Sequence, residues 1–390
     1  MKWIAYVTKS ALAASLVFVA AVACSAKSYI MYVGTYTTNG SKGIYAYRYD
    51  DVSGKLQPMG LAAETENPSF LVADASDEHL YAVNEIENYQ GASSGGVTAF
   101  IIDHATGKLK ELDEIASRGA DPCFVSFDRS GKYLLVANYT GGNVAVFPVS
   151  TDGKVGEASS VLNDEGTLGP NNERQERPHA HWIQASARNR FAYVSDLGLD
   201  RVLIYKFDAS KGELSRGDSA GASKNFFSAT LAPGTGPRHV VFSSDGNFMY
   251  VLGELDSTVT VFANDNKETY QPVQKISALP EGFTGENTAA EIAIHPNGKF
   301  LYTSNRGDDS IAVFAIDTNG KLTFVQHVAS GGKTPRHFAI DPSGTHLLAA
   351  NQDTGNIVEF TIDHATGKLT SDGEVAKVPS AVCVIFVPAD

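Results

Sequence analysis

Short apolar runs alternate with polar turns along the chain from about residue 28 to its end. Residues 236–254, GPRHVVFSSDGNFMYVLGE, show the pattern, with two apolar runs on either side of the polar stretch SSDGN. Runs of this length bounded by Gly, Asp, Asn and Ser are typical of two antiparallel β-strands joined by a tight turn. Beyond roughly the first 25 residues no long segment has the 3.6-residue periodicity of a helix. The pattern therefore predicts an all-β fold.

This strand–turn–strand unit recurs six times. Its copies are residues 67–85, 121–139, 179–197, 236–254, 289–307 and 334–352. Between them falls a second turn, rich in Asp, Asn and Gly, of the kind found in β-hairpins. The second turn has seven copies, which begin at Asp50, Asp103, Ser150, Asp208, Asn264, Asp317 and Asp363. Seven turns against six complete units suggest that a seventh unit is divided.

The two ends of the chain supply the missing unit. YIMYVGTY, residues 29–36, matches only the second strand of the unit, and PSAVCVIFV, residues 379–387, matches only the first. We therefore predict a seven-bladed β-propeller, closed by the C-terminal strand joining the N-terminal blade. It forms a single domain over residues 27–390. Because closure leaves no blade incomplete, we expect a monomer.

The propeller geometry brings the two ends of every unit to one face. With strands named a to d from the channel outward, the loop that enters strand a and the loop from b to c lie at the same end of the blade. The residues at the start of strand a are Ser69, Cys123, His181, Arg238, Glu291, Arg336 and Ser380. Those at the end of strand b are Tyr36, Glu85, Tyr139, Leu197, Glu254, Gly307 and Gln352, preceded by Thr35, Asn84, Asn138, Asp196, Gly253, Arg306 and Asn351. We expect these residues to surround the entrance of the channel.

Charged residues at this entrance are not needed for folding, and burying them is unfavourable unless they are paired. They form either a network of ion pairs between blades or a pocket for an anion. Arg238, Arg306 and Arg336 favour the pocket, because guanidinium groups match the geometry of phosphate and carboxylate. The formal net charge of −13 excludes a general binder of nucleic acid or of anionic membranes.

Four histidines lie close to the same positions. His179 and His181 are two residues apart around the start of a strand, so both can face the channel. His239 and His337 each follow a Pro-Arg pair. The alternation of side chains along a strand predicts that these two lie on the opposite side from the arginines and pack between blades.

Several motifs together resemble the bacterial propeller-type 6-phosphogluconolactonase family, the seven-bladed lactonases. They are MYVGTYT (31–37), NPSFL (67–71), RPHAHW (177–182), GPRH (236–239) with GEL (253–255), SNRGDDSI (304–311) and TPRH (334–337). The resemblance covers the whole chain after the N-terminal segment. It implies hydrolysis of a sugar lactone, 6-phosphogluconolactone or a related aldonolactone.

Distant relatives in the same family close a lactone on carboxymuconate, and they implicate one His, two Arg and one Glu. By motif and spacing these fall here on His179 or His181, Arg238, Glu254 and Arg306. We assign Glu254 or His181 as the base, Arg238 to the oxyanion, and Arg306 with Arg336 to an anionic group of the substrate. Further substrate contacts are expected from His179, Glu85, Asn84, Glu291 and Asn138.

Other chemistries have weaker support. No tightly spaced metal ligands occur in the sequence, and we expect no cofactor. An alternative is a calcium ion held by oxygens of Glu85, Asn84 and Asn138. Cys123 and Cys383 are too few and too far apart for a disulfide framework, and we expect two buried thiols.

The N-terminal residues 1–26 predict a secretory signal peptide. Two lysines precede the apolar stretch ALAASLVFVAAVA, which is short for a membrane span. AVAC, residues 21–24, resembles a lipoprotein signal that ends before Cys24, and simple cleavage near Ala23 or Ala26 is the alternative. We expect an exported protein, either periplasmic or lipid-anchored at Cys24.

Export conflicts with the named substrate, since the pentose phosphate pathway is cytosolic. Two alternatives to a lactone hydrolase therefore stay open. One is a propeller without catalytic activity that binds a ligand or a protein at the same entrance. The other is a muconate-type lactonizing cycloisomerase.

Overall fold

The computed structural model describes Met1 and residues 27–216, 228–264 and 270–389. The predicted signal peptide, with Cys24, lies outside the described residues apart from Met1, and so the export and lipidation hypotheses stay predictions. The described part contains one short helix, the single 3₁₀ turn Leu197–Leu199. None of the described residues form a helix long and apolar enough to cross a membrane.

Blades 1 to 3 take up the first part of the chain. Their strands are β1 (Ser28–Thr35), β2 (Gly43–Asp50), β3 (Leu56–Glu64), β4 (Pro68–Ala73), β5 (His79–Asn84), β6 (Asn88–Tyr89), β7 (Ala92–Ser93), β8 (Gly96–Ile102), β9 (Leu109–Ala116), β10 (Pro122–Phe127), β11 (Tyr133–Asn138), β12 (Asn143–Pro148) and β13 (Ser160–Asn163). Blade 2 has the order β4-β5-β8-β9, and the small hairpin β6-β7 stands in its b–c loop. Blade 3 has the order β10-β11-β12-β13.

Blades 4 to 7 repeat the same antiparallel order. Their strands are β14 (Ala180–Ala185), β15 (Phe191–Asp196), β16 (Arg201–Asp208), β17 (Glu213–Ser215), β18 (Ser228–Thr230), β19 (Pro237–Phe242), β20 (Phe248–Gly253), β21 (Thr258–Asn264), β22 (Tyr270–Ser277), β23 (Thr288–Ile294), β24 (Phe300–Arg306), β25 (Ser310–Ile316), β26 (Leu322–Ala329), β27 (Pro335–Ile340), β28 (His346–Asn351), β29 (Asn356–Ile362), β30 (Leu369–Lys377) and β31 (Ala381–Pro388). In blade 4 both β17 and β18 pair with β16.

The ring closes as the sequence predicts. Blade 1 has the order β3-β2-β1-β31, so its innermost strand is the last strand of the chain. β31 pairs with β1 from Pro388 opposite Tyr29 to Ala381 opposite Thr35. The seven-bladed propeller is therefore confirmed, with the divided blade at the chain ends.

The apolar core lies between neighbouring blades. Strand b of each blade is buried along nearly its whole length, whereas strand d is mostly exposed. This difference arises because a central strand has a blade packed on each of its faces. Tyr81, Phe147, Phe262 and Phe314 are among the largest fully buried side chains. Cys123 and Cys383 are free and buried, as expected.

A β-bulge near the start of strand a aims side chains into the channel. In blade 2 the pairing of strands a and b shifts between Pro68 and Phe70, which leaves Ser69 as the extra residue. A bulge interrupts the alternation of a strand and turns the extra residue out of the ladder. The extra residues of blades 3, 4 and 7 are Cys123, His181 and Arg336; the shifts in blades 5 and 6 span two residues each, Arg238 with His239 and Ala290 with Glu291.

Removal of residues 379–390 is expected to prevent folding. It deletes β31, leaves the inner edge of β1 unpaired and exposes the apolar cluster around Tyr32 and Leu71. Size-exclusion chromatography and circular dichroism of the shortened chain should show aggregates or unfolded protein. A chain shortened by residues 1–26 serves as the control, because it keeps every strand of blade 1. A folded monomer lacking residues 379–390 would contradict the closure.

Candidate active site

A buried carboxylate at the channel entrance is surrounded by arginines. Glu254 Oε2 lies 3.2 Å from Arg238 Nε and 3.2 Å from Arg306 Nη2. Glu254 Oε1 accepts a hydrogen bond of 2.6 Å from Arg174 Nη2. His181 Nε2 lies 3.9 Å from Glu254 Oε2. The structure thus brings together four residues that the sequence placed here and one, Arg174, that it did not.

Two of these arginines are also fixed by the main chain. Arg238 Nη1 donates to the carbonyl of Ala290. Arg306 donates from Nε to the carbonyl of Thr288 at 3.4 Å and from Nη2 to that of Ala289 at 3.2 Å. The Arg238 Nε is close to the carboxylate but poorly aligned for a hydrogen bond, so that contact is an ion pair. Carbonyls at the start of blade 6 therefore set the positions of both guanidinium groups.

The surroundings decide which groups are charged. Burial alone would raise the pKa of Glu254, but the guanidinium groups of Arg306, Arg238 and Arg174 outweigh it and lower this pKa to about 2. Burial, and then the charge of Arg238, lower the pKa of His181 well below its usual value. At neutral pH the entrance therefore holds an ionised carboxylate beside a neutral imidazole.

The two candidate histidines have different surroundings. His179 has both ring nitrogens engaged, Nδ1 with the carbonyl of Tyr139 at 3.1 Å and Nε2 with Glu176 at 3.2 Å, and its ring stacks on the Tyr139 ring. His181 has no such anchor on Nε2, and its Nδ1 lies 3.7 Å from the thiol sulfur of Cys123. Its Nε2 is the nitrogen that faces Glu254. The geometry favours His181 as the reactive histidine and a structural role for His179.

A second polar group lies on the side of blades 7, 1 and 2. The Tyr36 hydroxyl donates to Glu85 Oε1 at 2.7 Å, and Arg336 Nη2 lies 3.8 Å from the same oxygen. The Arg336 guanidinium also stands over the Tyr36 ring, 5.2 Å from its centroid. No described residue accepts a hydrogen bond from Arg336. Its donors are therefore available to a ligand.

One layer deeper, the channel is closed by a plug made of Phe70, Phe124, His239, Glu291 and His337. The Phe70 and Phe124 rings are 4.3 Å apart, and the His239 ring lies 5.9 and 5.2 Å from them. His239 Nδ1 lies 3.1 Å from both carboxylate oxygens of Glu291, and His337 Nε2 lies 3.4 Å from Oε2. The predicted position of the two histidines between blades was wrong. In blade 5 the two-residue bulge removes the alternation on which it rested.

The hydrogen bonds of the plug define the tautomers of its histidines. The backbone N–H of Val384 donates to His337 Nδ1, so the proton of His337 is on Nε2 and points at Glu291. Arg238 Nη1 faces His239 Nε2, so His239 carries its proton on Nδ1. Burial lowers the pKa of both histidines, that of His239 to about 4. Glu291 is thus committed to two neutral imidazoles, and the expected contact with substrate is not supported.

Two predicted substrate contacts, Asn84 and Asn138, turn away from the entrance. Asn84 Nδ2 donates to Thr65 Oγ1 and to the carbonyl of Glu66, and Asn138 Nδ2 donates to the carbonyl of Ser117. These partners belong to the segment that leads into the same blade. Both amides therefore hold the loop that enters strand a, and they favour neither substrate binding nor a calcium site with Glu85. No group of three His, Cys, Asp or Glu among the described residues is arranged to hold a metal ion.

Arg174 comes from the irregular insert of residues 163–181. A local turn positions it, in which Asn171 Oδ1 accepts the backbone N–H of Arg174 at 3.1 Å. The next residue, Gln175, is buried and donates to the carbonyl of Leu197 at 2.8 Å. The signal in the sequence was the length of this insert and its place before the third unit, although nothing there marked Arg174.

The base of the insert contains a pair of buried acids. Asp164 and Asp196 are neighbouring buried acids, and we infer that they share one proton; the Oδ2 atom of each has no hydrogen-bond partner among the described residues. Asp164 Oδ1 accepts from the Tyr205 hydroxyl at 2.6 Å, and Asp196 Oδ1 accepts from the backbone N–H of His179. Burial and the neighbouring carboxylate raise the pKa of Asp164 well above its usual value. Burial raises the pKa of Asp196 to about 6.

A cavity of about 1100 Å³ lies at the opposite face, between blades 4 and 5. Gln184, Tyr193, Val241 and Phe242 are among the residues that line it, and none of the charged residues of the channel entrance does. Asn264 and Tyr270 line it as well, and residues 265–269 between them are not described. We therefore base no function on it.

The family is decided by comparison with known sequences. The sequence profile of the family described as "Lactonase, 7-bladed beta-propeller" matches residues 30–386. The chain belongs to this lactonase family. The match spans all seven blades, and it agrees with the resemblance seen in the motifs.

Relatives cover almost the whole chain. A 6-phosphogluconolactonase of Bacillus subtilis is 37% identical over 361 residues, which are 92% of this chain and 98% of the relative. The crystal structure of the periplasmic gluconolactonase PpgL of Pseudomonas aeruginosa superposes with a TM-score of 0.84 at 32% identity, covering 93% of this chain and 100% of that one. A Bacteroides fragilis protein provisionally named 6-phosphogluconolactonase has a TM-score of 0.83 at 36% identity, covering 93% and 98% of the two chains.

Replacing Asp164 by Asn should stabilise the protein at alkaline pH. An acid whose pKa is raised by folding binds its proton more tightly in the folded state, so stability falls as the pH rises from about 4 through the folded pKa. The Asn side chain can still accept a hydrogen bond from Tyr205 and can donate one to Asp196. Because Asn does not ionise, the fall in stability at high pH is removed. Unfolding temperatures at pH 5 and pH 8 should show a gain of about 2 °C or more at pH 8 and a smaller change at pH 5.

Asp152→Asn is the control, because Asp152 is in an exposed turn and hydrogen bonds lower its pKa. An equal effect of Asp164→Asn at both pH values would show that the two acids do not share a proton.

Proposed function

We propose that the protein hydrolyses an aldonolactone, 6-phosphogluconolactone or a related sugar lactone, at the channel entrance. The observation that carries this proposal is the neutral His181 beside Glu254 within a group of guanidinium ions, above a plugged channel. Lactone opening is assisted by a neutral base that accepts a proton from water and by fixed cations that stabilise the oxyanion. A closed channel floor supports the substrate. The family and the names of the two relatives support the same reaction class.

His181 is the better base of the two candidates. Both oxygens of Glu254 face arginines, and its pKa of about 2 makes it a weak acceptor of a proton. The imidazole of His181 keeps a free electron pair at neutral pH. When it takes a proton from the attacking water, the imidazolium is stabilised by the carboxylate 3.9 Å away. Glu254 then acts as the counter-ion of His181 and as the support of the arginines.

The reaction proceeds through a tetrahedral intermediate. Water adds to the lactone carbonyl carbon and gives a proton to His181, and the negative charge develops on the former carbonyl oxygen. Arg238 is the donor for this oxyanion, since the carbonyl of Ala290 and Glu254 hold it in place before the substrate arrives. The ring C–O bond then breaks, and the leaving oxygen takes the proton back from His181. The product is the open-chain aldonic acid, which releases its carboxyl proton to the solvent and becomes the aldonate.

Arg336 and Arg306 are assigned to an anionic group on the substrate. No described residue accepts a hydrogen bond from Arg336. Arg306 lies beside the carboxylate of Glu254. Burial lowers the pKa of Arg306, and the charge of Glu254 opposes this effect. The other arginines lower it further, to about 10. Arg306 is therefore charged at neutral pH.

We also propose that the protein is exported, in line with the predicted signal peptide of residues 1–26. The Pseudomonas aeruginosa relative bears the name periplasmic gluconolactonase, and this supports export of a member of the family. Lipidation of Cys24 would hold the propeller, with the same channel entrance, at the membrane surface. Globomycin treatment of the producing cells, followed by a size comparison, would separate the lipidated form from the freely soluble one.

Replacement of Arg238 by Ala should lower kcat by about 100-fold or more, because it removes the donor for the oxyanion. Acid release from 6-phosphogluconolactone and from glucono-1,5-lactone, corrected for spontaneous opening, measures the effect. Arg238→Lys tests the same role if the Ala variant does not fold, since Lys keeps the charge and loses the planar donor set. Normal turnover by either folded variant would remove Arg238 from the mechanism.

His181→Gln should lower kcat by about 100-fold to 10,000-fold with little change in KM, because Gln cannot accept the proton from water. His179→Gln is the matched control two residues away, and its effect on kcat should be much smaller. Comparable losses in the two variants would show that the histidines serve structure alone. No turnover of any lactone by the native protein would disprove the proposed function itself.

A further inference from the structure

Arg174 differs from the other arginines of the entrance in how it is held. Its side chain is 39% exposed, whereas those of Arg238 and Arg306 are 3% and 13% exposed. Among the described residues its guanidinium donates to Glu254 Oε1 at 2.6 Å and to the Tyr139 hydroxyl at 3.2 Å, and to no other group. No main-chain carbonyl of the described residues accepts from it. Arg174 can therefore leave Glu254 without disturbing any blade.

The backbone that carries Arg174 is nevertheless firmly placed. Asn171 caps the turn by accepting from the backbone N–H groups of Glu173 and Arg174, both at 3.1 Å. Gln175 accepts from the backbone N–H of Asn171 at 3.1 Å and donates to Leu197. The insert thus presents one long cationic side chain over the entrance, with its backbone fixed and its guanidinium held only by side chains.

The entrance has more positive than negative charge. Four guanidinium groups, those of Arg174, Arg238, Arg306 and Arg336, face the carboxylates of Glu254 and Glu85, which leaves an excess of two positive charges. Glu291 lies one layer deeper and is shared by two histidines. An entering anion would be attracted, and the exposed guanidinium is the one that can turn to meet it.

We propose that Arg174 exchanges Glu254 for the anionic group of the substrate, which it binds together with Arg306 and Arg336, and so determines the preference of the enzyme for anionic lactones. The proposal rests on the proposed lactone hydrolysis. With the lactone carbonyl beside His181 on the floor, a charged group at the far end of the sugar points to the mouth, where Arg174 stands. A phosphate or a carboxylate at that end has the required chemistry. The exchange also frees Glu254 Oε1, so binding energy from the remote group is used to prepare the reacting end.

The test compares three lactones on Arg174→Gln. Glucono-1,5-lactone has no charge, 6-phosphogluconolactone carries a phosphate, and glucaro-1,4-lactone carries a carboxylate. For at least one of the charged lactones, kcat/KM should fall about tenfold to a hundredfold, and for the neutral lactone it should change less than about threefold. The charged lactone that loses more identifies the anion. Arg174→Lys should retain part of the preference, because it keeps the charge.

Arg177→Gln is the matched control. Arg177 is on the same insert, is 56% exposed and pairs with Glu176 outside the entrance, so this variant should leave all three values unchanged. Equal losses on neutral and charged lactones in a folded Arg174→Gln protein would overturn the proposal, as would no loss on any of them. Native turnover confined to the neutral lactone would overturn it as well. Failure of the native protein on all three would instead reject the proposed function.

Discussion

The structure of the channel entrance depends on one constraint, the burial of several guanidinium groups within a few ångströms of each other. Such a group of like charges is stable only if buried carboxylates offset it. Glu254 does so for Arg174, Arg238 and Arg306, and the resulting field keeps its own pKa at about 2. Burial, and then the charge of Arg238, lower the pKa of His181. The arrangement that makes folding compatible with these charges also produces a neutral base, so stability and chemistry have a common origin here.

In the plug, one layer deeper in the channel, a buried carboxylate is again stabilised by its neighbours. Glu291 could not lie beneath the arginines as an isolated charge, and two imidazole N–H groups satisfy it. Because both histidines stay neutral, the plug adds no positive charge to the entrance. The aromatic rings of Phe70 and Phe124 fill the remaining space. His239 links the two layers, because its Nδ1 contacts Glu291 and its Nε2 faces Arg238 Nη1.

Much of this could be predicted from the sequence, and the exceptions have physical reasons. The blades could be predicted from the repeat of turns and apolar runs. The ring of entrance residues could be predicted because the first and last residues of every unit lie at the same end of a blade. His239 and His337 were misplaced because a bulge depends on packing around the channel, which no local pattern reports. Asn84 and Asn138 were at the right position along the strand, but alternation does not say that an amide will turn back to hold a loop. Arg174 depends on the contact of Gln175 with Leu197, which only the folded chain contains.

Closure by β31 ties the chamber to the biogenesis of the protein. The backbone N–H of Val384 in β31 donates to His337 Nδ1, and His337 Nε2 lies 3.4 Å from Glu291 Oε2. A nascent or partly translocated chain lacks this donor and lacks the innermost strand of blade 1. The polar site at the entrance is therefore complete only when β31 has joined blade 1, and a chain that crosses a membrane unfolded would acquire the complete site only on the far side.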